Sequence, residues 1–145
     1  MKYIISLFVI SLFACKTKHH VEVIIPEDEK ESFVQLLDRA AIEDKIVFVD
    51  LYTDWCLPCQ LMDEIVYTDP IILDYLNTNF INLKMNAEIG EGPDLTVIYD
   101  IKEYPTLLFL DAKGKVLIRK NGAAFQQELV ELGDSALALQ LSKLR

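Results

Sequence analysis

Two rhythms of apolar residues alternate along this chain, one with the period of a strand and one with that of a helix, as an α/β fold requires. Ile46 to Tyr52 is almost continuously apolar and rich in β-formers, the mark of a central strand covered on both faces. Phe80 to Asn86 predicts a second strand. Thr106 to Leu110 and Val116 to Lys120 predict an antiparallel hairpin about Asp111 to Gly114. Val21 to Ile25 is a candidate edge strand, stopped by Pro26. Between the strands, Phe33, Leu36, Leu37, Ala40 and Ala41 recur at helical spacing and predict a first helix ending near Asp44. Glu27 to Glu31 reads as its solvated first turn, favoured by the helix dipole. Leu61, Met62, Ile65 and Val66 predict the buried stripe of a second helix. Asp69 can cap a third, with Pro70 at its first position and Ile71, Ile72, Tyr75 and Leu76 facing inward. A short helix is expected from Pro93 to Tyr99, after the acidic loop Ala87 to Gly92. A final helical region starts near Phe125, and Gly133 is expected to divide it, with Asp134 or Ser135 capping the second part.

The N-terminus has a different pattern. Met1 and Lys2 precede the apolar run Tyr3 to Ala14, too short to span a bilayer comfortably and typical of a signal peptide. Residues 15–20 then form a short polar tether, and 21–145 a single globular domain. Leu12 to Cys15 resembles a bacterial lipobox, with Phe13 bulkier than usual; cleavage before Cys15 would leave that residue lipidated. Lipidation would also remove an odd thiol from an oxidising compartment. The alternative is an ordinary cleavage near Ala14 that leaves Cys15 free. His19 and His20, without a carboxylate or thiol partner, read as solvated tether. The formal net charge of −9 argues against nucleic-acid binding, which needs a basic footprint, and against a polybasic membrane patch.

The candidate chemistry lies in Trp55-Cys56-Leu57-Pro58-Cys59, where a Cys-x-x-Cys follows the central strand and opens a helix. Orphan backbone N–H groups and the helix dipole would stabilise a thiolate at Cys56, placed in the first turn and at the surface, with Cys59 one turn further in. Pro58 supplies a fixed φ near the helix start, where a missing N–H costs little. The same motif is half of a zinc site. Zinc wants four ligands, and the globular part holds no second pair. A purely structural disulfide would close a loop too short to constrain the unfolded chain much. Redox chemistry is therefore the reading taken. Asp50, in an otherwise apolar strand, is costly unless paired.

Val47 to Cys59 resembles the active-site segment of thioredoxins, and Tyr104 to Phe109 their cis-proline strand. Lys84, Asn86 and Gly122-Ala123 fall where thioredoxins carry similar residues, so the resemblance runs from about Val21 to the C-terminus. It implies a thioredoxin-like α/β fold, a central mixed β-sheet flanked by helices. The helix after Asp69-Pro70 looks more like the thioredoxin-like domains of periplasmic disulfide reductases and related lipoproteins. Departures at Leu57, Gln60 and Tyr104 bear on redox potential and substrate choice. By this resemblance Asp50 lies behind Cys59 and relays its proton, Lys84 accompanies it, and the backbone at Tyr104-Pro105 binds an extended client segment. An ion pair without catalytic role is the alternative for Asp50 and Lys84. Opposed effects of burial and the Lys84 charge leave the direction of the Asp50 pKa open. Trp55 and Tyr104 would wall the groove, and Gly122 would allow close backbone approach beside it. No role is assigned to Tyr52, Asp54 or Gln60.

The leader and the lipobox-like segment, taken with this resemblance, imply an exported, lipid-anchored thiol-disulfide oxidoreductase, a reductase by its retained Pro58, needing no metal or organic cofactor. Its partners would be client proteins with disulfides and a membrane or soluble thiol electron donor. The rivals are a redox-inactive binding protein of the same fold and a metal chaperone that carries a soft ion on its two thiols.

Overall fold

The computed structural model describes residues 31–143. The leader at 1–14, the tether with Cys15, His19 and His20, and the candidate strand Val21 to Ile25 lie outside the described residues. In chain order the elements are α1 (Phe33–Glu43), β1 (Ile46–Tyr52), α2 (Leu57–Ile65), α3 (Pro70–Asn79), β2 (Phe80–Asn86), α4 (Gly92–Ile98), β3 (Thr106–Leu110), β4 (Val116–Asn121) and α5 (Gln126–Lys143). The sheet runs β2-β1-β3-β4, with β2 parallel to β1 and both β3 and β4 antiparallel to their neighbours. This is the mixed sheet of the expected α/β fold.

Side chains alternate across a strand, so β1 divides its apolar residues between two cores. Val47, Val49 and Leu51 join Phe33, Leu36 and Ala40 of α1 and Leu95 of α4 on one face. Ile46 and Phe48 join Met62, Val66, Ile72, Leu76, Leu129 and Ala136 on the other. By the same alternation Asp50 falls on the second face, the one covered by the helix that carries the Cys pair. Phe80, Asn82 and Lys84 of β2 share that face. The parallel register sets Asp50 beside Lys84.

Several helical assignments need correction. Helix α1 begins at Phe33 behind a capping box in which the Ser32 hydroxyl accepts from Gln35 N, and it has no acidic residue in its first turn. Glu31 therefore precedes the helix and pairs with Arg39 instead. The last apolar residues of α1, Ala41 and Ile42, point to solvent. In α2 the buried line is Cys59, Met62 and Val66, while Leu61 and Ile65 face outward. In α3, Ile72 and Leu76 are buried but Ile71 is 76% exposed. Each of these helices carries two apolar stripes, and the sheet can cover only one.

Gly133 does not divide the last helix, which runs unbroken from Gln126 to Lys143. A Cβ there would lie 2.5 Å from Tyr75 Oη and 3.0 Å from Phe80 Cζ. Glycine is needed because α5 closes onto α3 and β2 at this point. Gly133→Ala should therefore lower stability by about 1–3 kcal/mol through overpacking, although alanine favours helices by roughly 1 kcal/mol. Denaturant titration checks this; a more stable variant would mean that the rings yield freely.

Candidate active site

The site is assembled where β1 ends. The chain turns through Thr53 to Trp55, with Cys56 N donating to Thr53 O, and enters α2. Cys56 has extended backbone angles and is the N-cap of α2, one position earlier than expected, with Pro58 in the first turn. Its sulfur takes the place of a capping oxygen: Cys59 N–H donates to Cys56 Sγ at 3.2 Å. One amide of the helix start, that of Cys59, thus points at this sulfur, the kind of contact that stabilises a thiolate. Cys56 and Cys59 are joined in a disulfide. Both are buried, at 3% and 2% exposure, which corrects the expected surface position of Cys56. The bond to Cys59 and the contact with its amide turn the sulfur inward.

The β1–β3 register places Leu51 opposite Thr106, so Pro105 sits at the sheet edge from which the Cys-bearing turn departs. The Tyr104–Pro105 peptide is cis, as the sequence suggested. Gly122 N donates to Pro105 O at 2.8 Å and Thr106 Oγ1 to Glu103 O at 2.7 Å, which fixes this corner from both sides. Gly122 itself is explained by its φ of +80°, because a Cβ there would meet open space; close backbone approach is not its reason. Trp55, 67% exposed, meets Tyr104 edge to face with ring centroids 5.9 Å apart. The two aromatics thus stand together beside the disulfide.

A set of polar braces holds this rim. Trp55 Nε1 donates to Glu88 Oε1 at 3.1 Å. Asn86 accepts from Glu88 N and donates to Asp54 Oδ1, and Gln60 Nε2 donates to Asp54 O. Sequence reading gave Asp54 and Gln60 no role and overlooked Glu88. Its only signal for the brace was Asn86.

Beneath the disulfide-bearing helix lies Asp50, buried on β1. Its Oδ2 accepts from Tyr67 Oη at 2.9 Å, while its Oδ1 is buried with no hydrogen-bond partner among the described residues. Lys84 ion-pairs with Asp63 of α2, and its Nζ lies 4.6 Å from the Tyr52 ring centroid and 5.5 Å from that of Tyr67. Lys84 therefore acts on Asp50 as a nearby charge, its own contact being with Asp63. Burial raises the Asp50 pKa to about 6, against the lowering effects of the Lys84 charge and the Tyr67 hydrogen bond. The direction left open by the sequence is upward. Tyr67 was missed altogether, since its phenol extends the apolar run Ile65-Val66 and reads as core.

A carboxyl whose folded-state pKa is raised favours the protonated protein, so its contribution to stability is present at low pH and is lost as pH rises from about 4 to about 6. Asp50→Asn keeps an acceptor for Tyr67 and removes the buried charge. It should stabilise the protein at pH 7–8 by up to about 3 kcal/mol, with the gain shrinking as pH falls from about 6 to about 4. Denaturation across that range checks it; a pH-independent difference would mean that Asp50 does not titrate as described.

A family model described as thioredoxin-like matches residues 30–112. The thiol:disulfide interchange protein DsbD of Pseudoalteromonas atlantica is 30% identical over 98 residues, which cover 67% of this chain and 17% of that protein. The chain thus spans about a sixth of that relative. Among solved structures, a candidate disulphide-isomerase of Bacteroides thetaiotaomicron is 41% identical, with a TM-score of 0.62 over 79% of this chain and 92% of that one. A thioredoxin from Thermus thermophilus, 21% identical, superposes with a TM-score of 0.68 over 79% and 91%, a likeness of fold.

Proposed function

We propose that this protein, which belongs to the thioredoxin-like family, is a protein-disulfide oxidoreductase that exchanges its Cys56–Cys59 pair with disulfides of client proteins. The observation that carries the reading is the pair itself, two sulfurs bonded at the start of α2 with the Cys59 amide directed at Cys56 Sγ. In the reducing direction the Cys56 thiolate attacks one sulfur of the client disulfide. A mixed disulfide forms, and the other client sulfur leaves as a thiolate that takes a proton from water. Cys59 then gives its proton to Asp50 and attacks Cys56 Sγ. This breaks the bond to the client, whose second sulfur departs as thiolate, and closes Cys56–Cys59. Two electrons pass from the protein dithiol to the client, and a thiol donor restores the dithiol by the same exchange. No metal or organic cofactor takes part in these steps.

Asp50, with its raised pKa and unpartnered Oδ1, is the proton acceptor in this scheme, and Lys84 tempers its charge. Trp55 and Tyr104 wall the client groove, and the backbone at Pro105, held by Gly122, offers strand-like hydrogen bonds to an extended segment. Pro58 supports the reducing direction. The leader at 1–14, the tether at 15–20 and the lipobox-like sequence at Cys15 support export of the 21–145 domain and anchoring through lipidated Cys15. Its clients would then be exported proteins with disulfides, and its donor a membrane or soluble thiol protein.

Turnover of a model protein disulfide with excess thiol reductant tests the activity. Cys56→Ser should abolish it, whereas Cys59→Ala should accumulate mixed disulfides that added reductant releases. Undiminished turnover by Cys56→Ser would exclude the mechanism. Direction is read from the potential, expected nearer the about −270 mV of thioredoxin than the about −180 mV of disulfide isomerase.

Anchoring has its own test. Cys15→Ser should move the protein from the membrane to the soluble fraction without changing its redox activity. Mass spectrometry of an unmodified N-terminus downstream of Cys15 would rule the anchor out.

A further inference from the structure

We infer that Tyr67 is a positioning residue of the dithiol reaction: its phenol occupies Asp50 Oδ2 and leaves Oδ1 as the atom that receives and returns the proton of the buried thiol. This inference rests on the relay reading of Asp50 above. Tyr67 stands just past α2, where the amides of Val66 and Tyr67 both donate to Met62 O and end the helix. The turn directs the hydroxyl to Asp50, 2.9 Å away on β1. Helix α2 and the turn that ends it thus carry both Cys59 and the group that orients its proton acceptor.

The chemistry of a phenol makes this contact one-directional. Burial, followed by the neighbouring Asp50 charge and hydrogen bond, raises the Tyr67 pKa well above its ordinary value, so it keeps its proton throughout the working pH range. It donates to Oδ2 and does not accept from it. A proton arriving at Asp50 must therefore settle on Oδ1, the oxygen without a partner. The other charged groups around this carboxyl are Lys84 on β2 and Asp63 on α2, paired with each other, while β3 presents Leu107 opposite Asp50 in the strand register. Tyr67 is thus the direct hydrogen-bond donor to this carboxylate among the described residues, with Lys84 acting on it as a nearby charge. Without it the ionised form loses its partner and the carboxyl should hold its proton more tightly.

Tyr67→Phe removes the hydroxyl and keeps the ring. In the oxidised protein, the 13C resonance of the Asp50 carboxyl should titrate about one pH unit higher than in the wild type. Client release in single turnover should slow several-fold near pH 6 and converge with the wild type above pH 8. A role confined to packing would slow release equally at every pH and leave the Asp50 midpoint unmoved, which would overturn the inference. Asp50→Asn separates this from failure of the relay. If its release rates follow the wild-type pH profile, Asp50 carries no proton and the underlying reading falls. If it flattens the profile while Tyr67→Phe leaves the midpoint in place, the relay stands and the inference about Tyr67 falls. Should Tyr67→Phe fail to fold, the wild type supplies the measurement. The Tyr67 Cζ resonance should shift with the same midpoint as the Asp50 carboxyl, and independence of the two would refute the contact.

Discussion

A carboxylate buried in the central strand is the constraint around which the rest of the site is arranged. β1 is covered on both faces, so a charge at Asp50 cannot reach water and must be met from within. The pleat turns it toward the face beneath α2, and the parallel register brings Lys84 alongside. The protein meets only half of the demand. One oxygen is bonded to Tyr67, the other has no partner among the described residues, and the lysine gives its direct contact to Asp63. Burial then outweighs the neighbouring positive charge and raises the pKa of the group to about 6, a range that suits the proton-acceptor role proposed for it.

The dithiol is met by a different set of forces. Helix α2 begins at the sheet edge, and its first amides have no helical partner. Cys56 fills the capping position, so the sulfur proposed as the reactive thiolate is the one placed against an N–H donor. Around it the rim is braced from four chain segments: Asp54 and Gln60 beside the Cys pair, Asn86 and Glu88 at the end of β2, Glu103 to Thr106 before and at the start of β3, and Gly122 after β4. Exposed Trp55 is held at its indole nitrogen by Glu88 and by its edge-to-face contact with Tyr104, so an aromatic surface can stay open to solvent and keep a defined orientation. Rigid backing of this kind would reduce the ordering cost of docking the proposed client segment.

Strand positions were legible in the sequence almost to the residue. A short apolar run rich in β-formers and bounded by turn residues marks a covered strand, and β1, β2 and β3 fall where such runs put them. Helix faces were less legible. Leu61 and Ile65 lie one position before Met62 and Val66, and periodicity gives both pairs equal weight. Which pair is buried depends on how α2 crosses the sheet. Ile71 and Ile72 pose the same choice in α3. Gly133 was misread for a related reason. A glycine in a helical pattern signals a break unless another element needs the space of its missing side chain, and that element, with Tyr75 and Phe80, lies more than fifty residues away in sequence.

The sequence by itself determined the chemistry on offer: two thiols at helix spacing after a buried strand, an acid within that strand, a proline at the facing edge, and the α/β order that brings them to one end of a sheet. These are local facts of residue type and spacing, and short-range stereochemistry is enough to express them. Tertiary structure alone decided how strongly the chemistry is tuned. The Asp50 pKa depends on the balance of desolvation against a charge from β2 and a hydrogen bond from the end of α2. That balance is set by distance and burial, which exist only once the elements have packed.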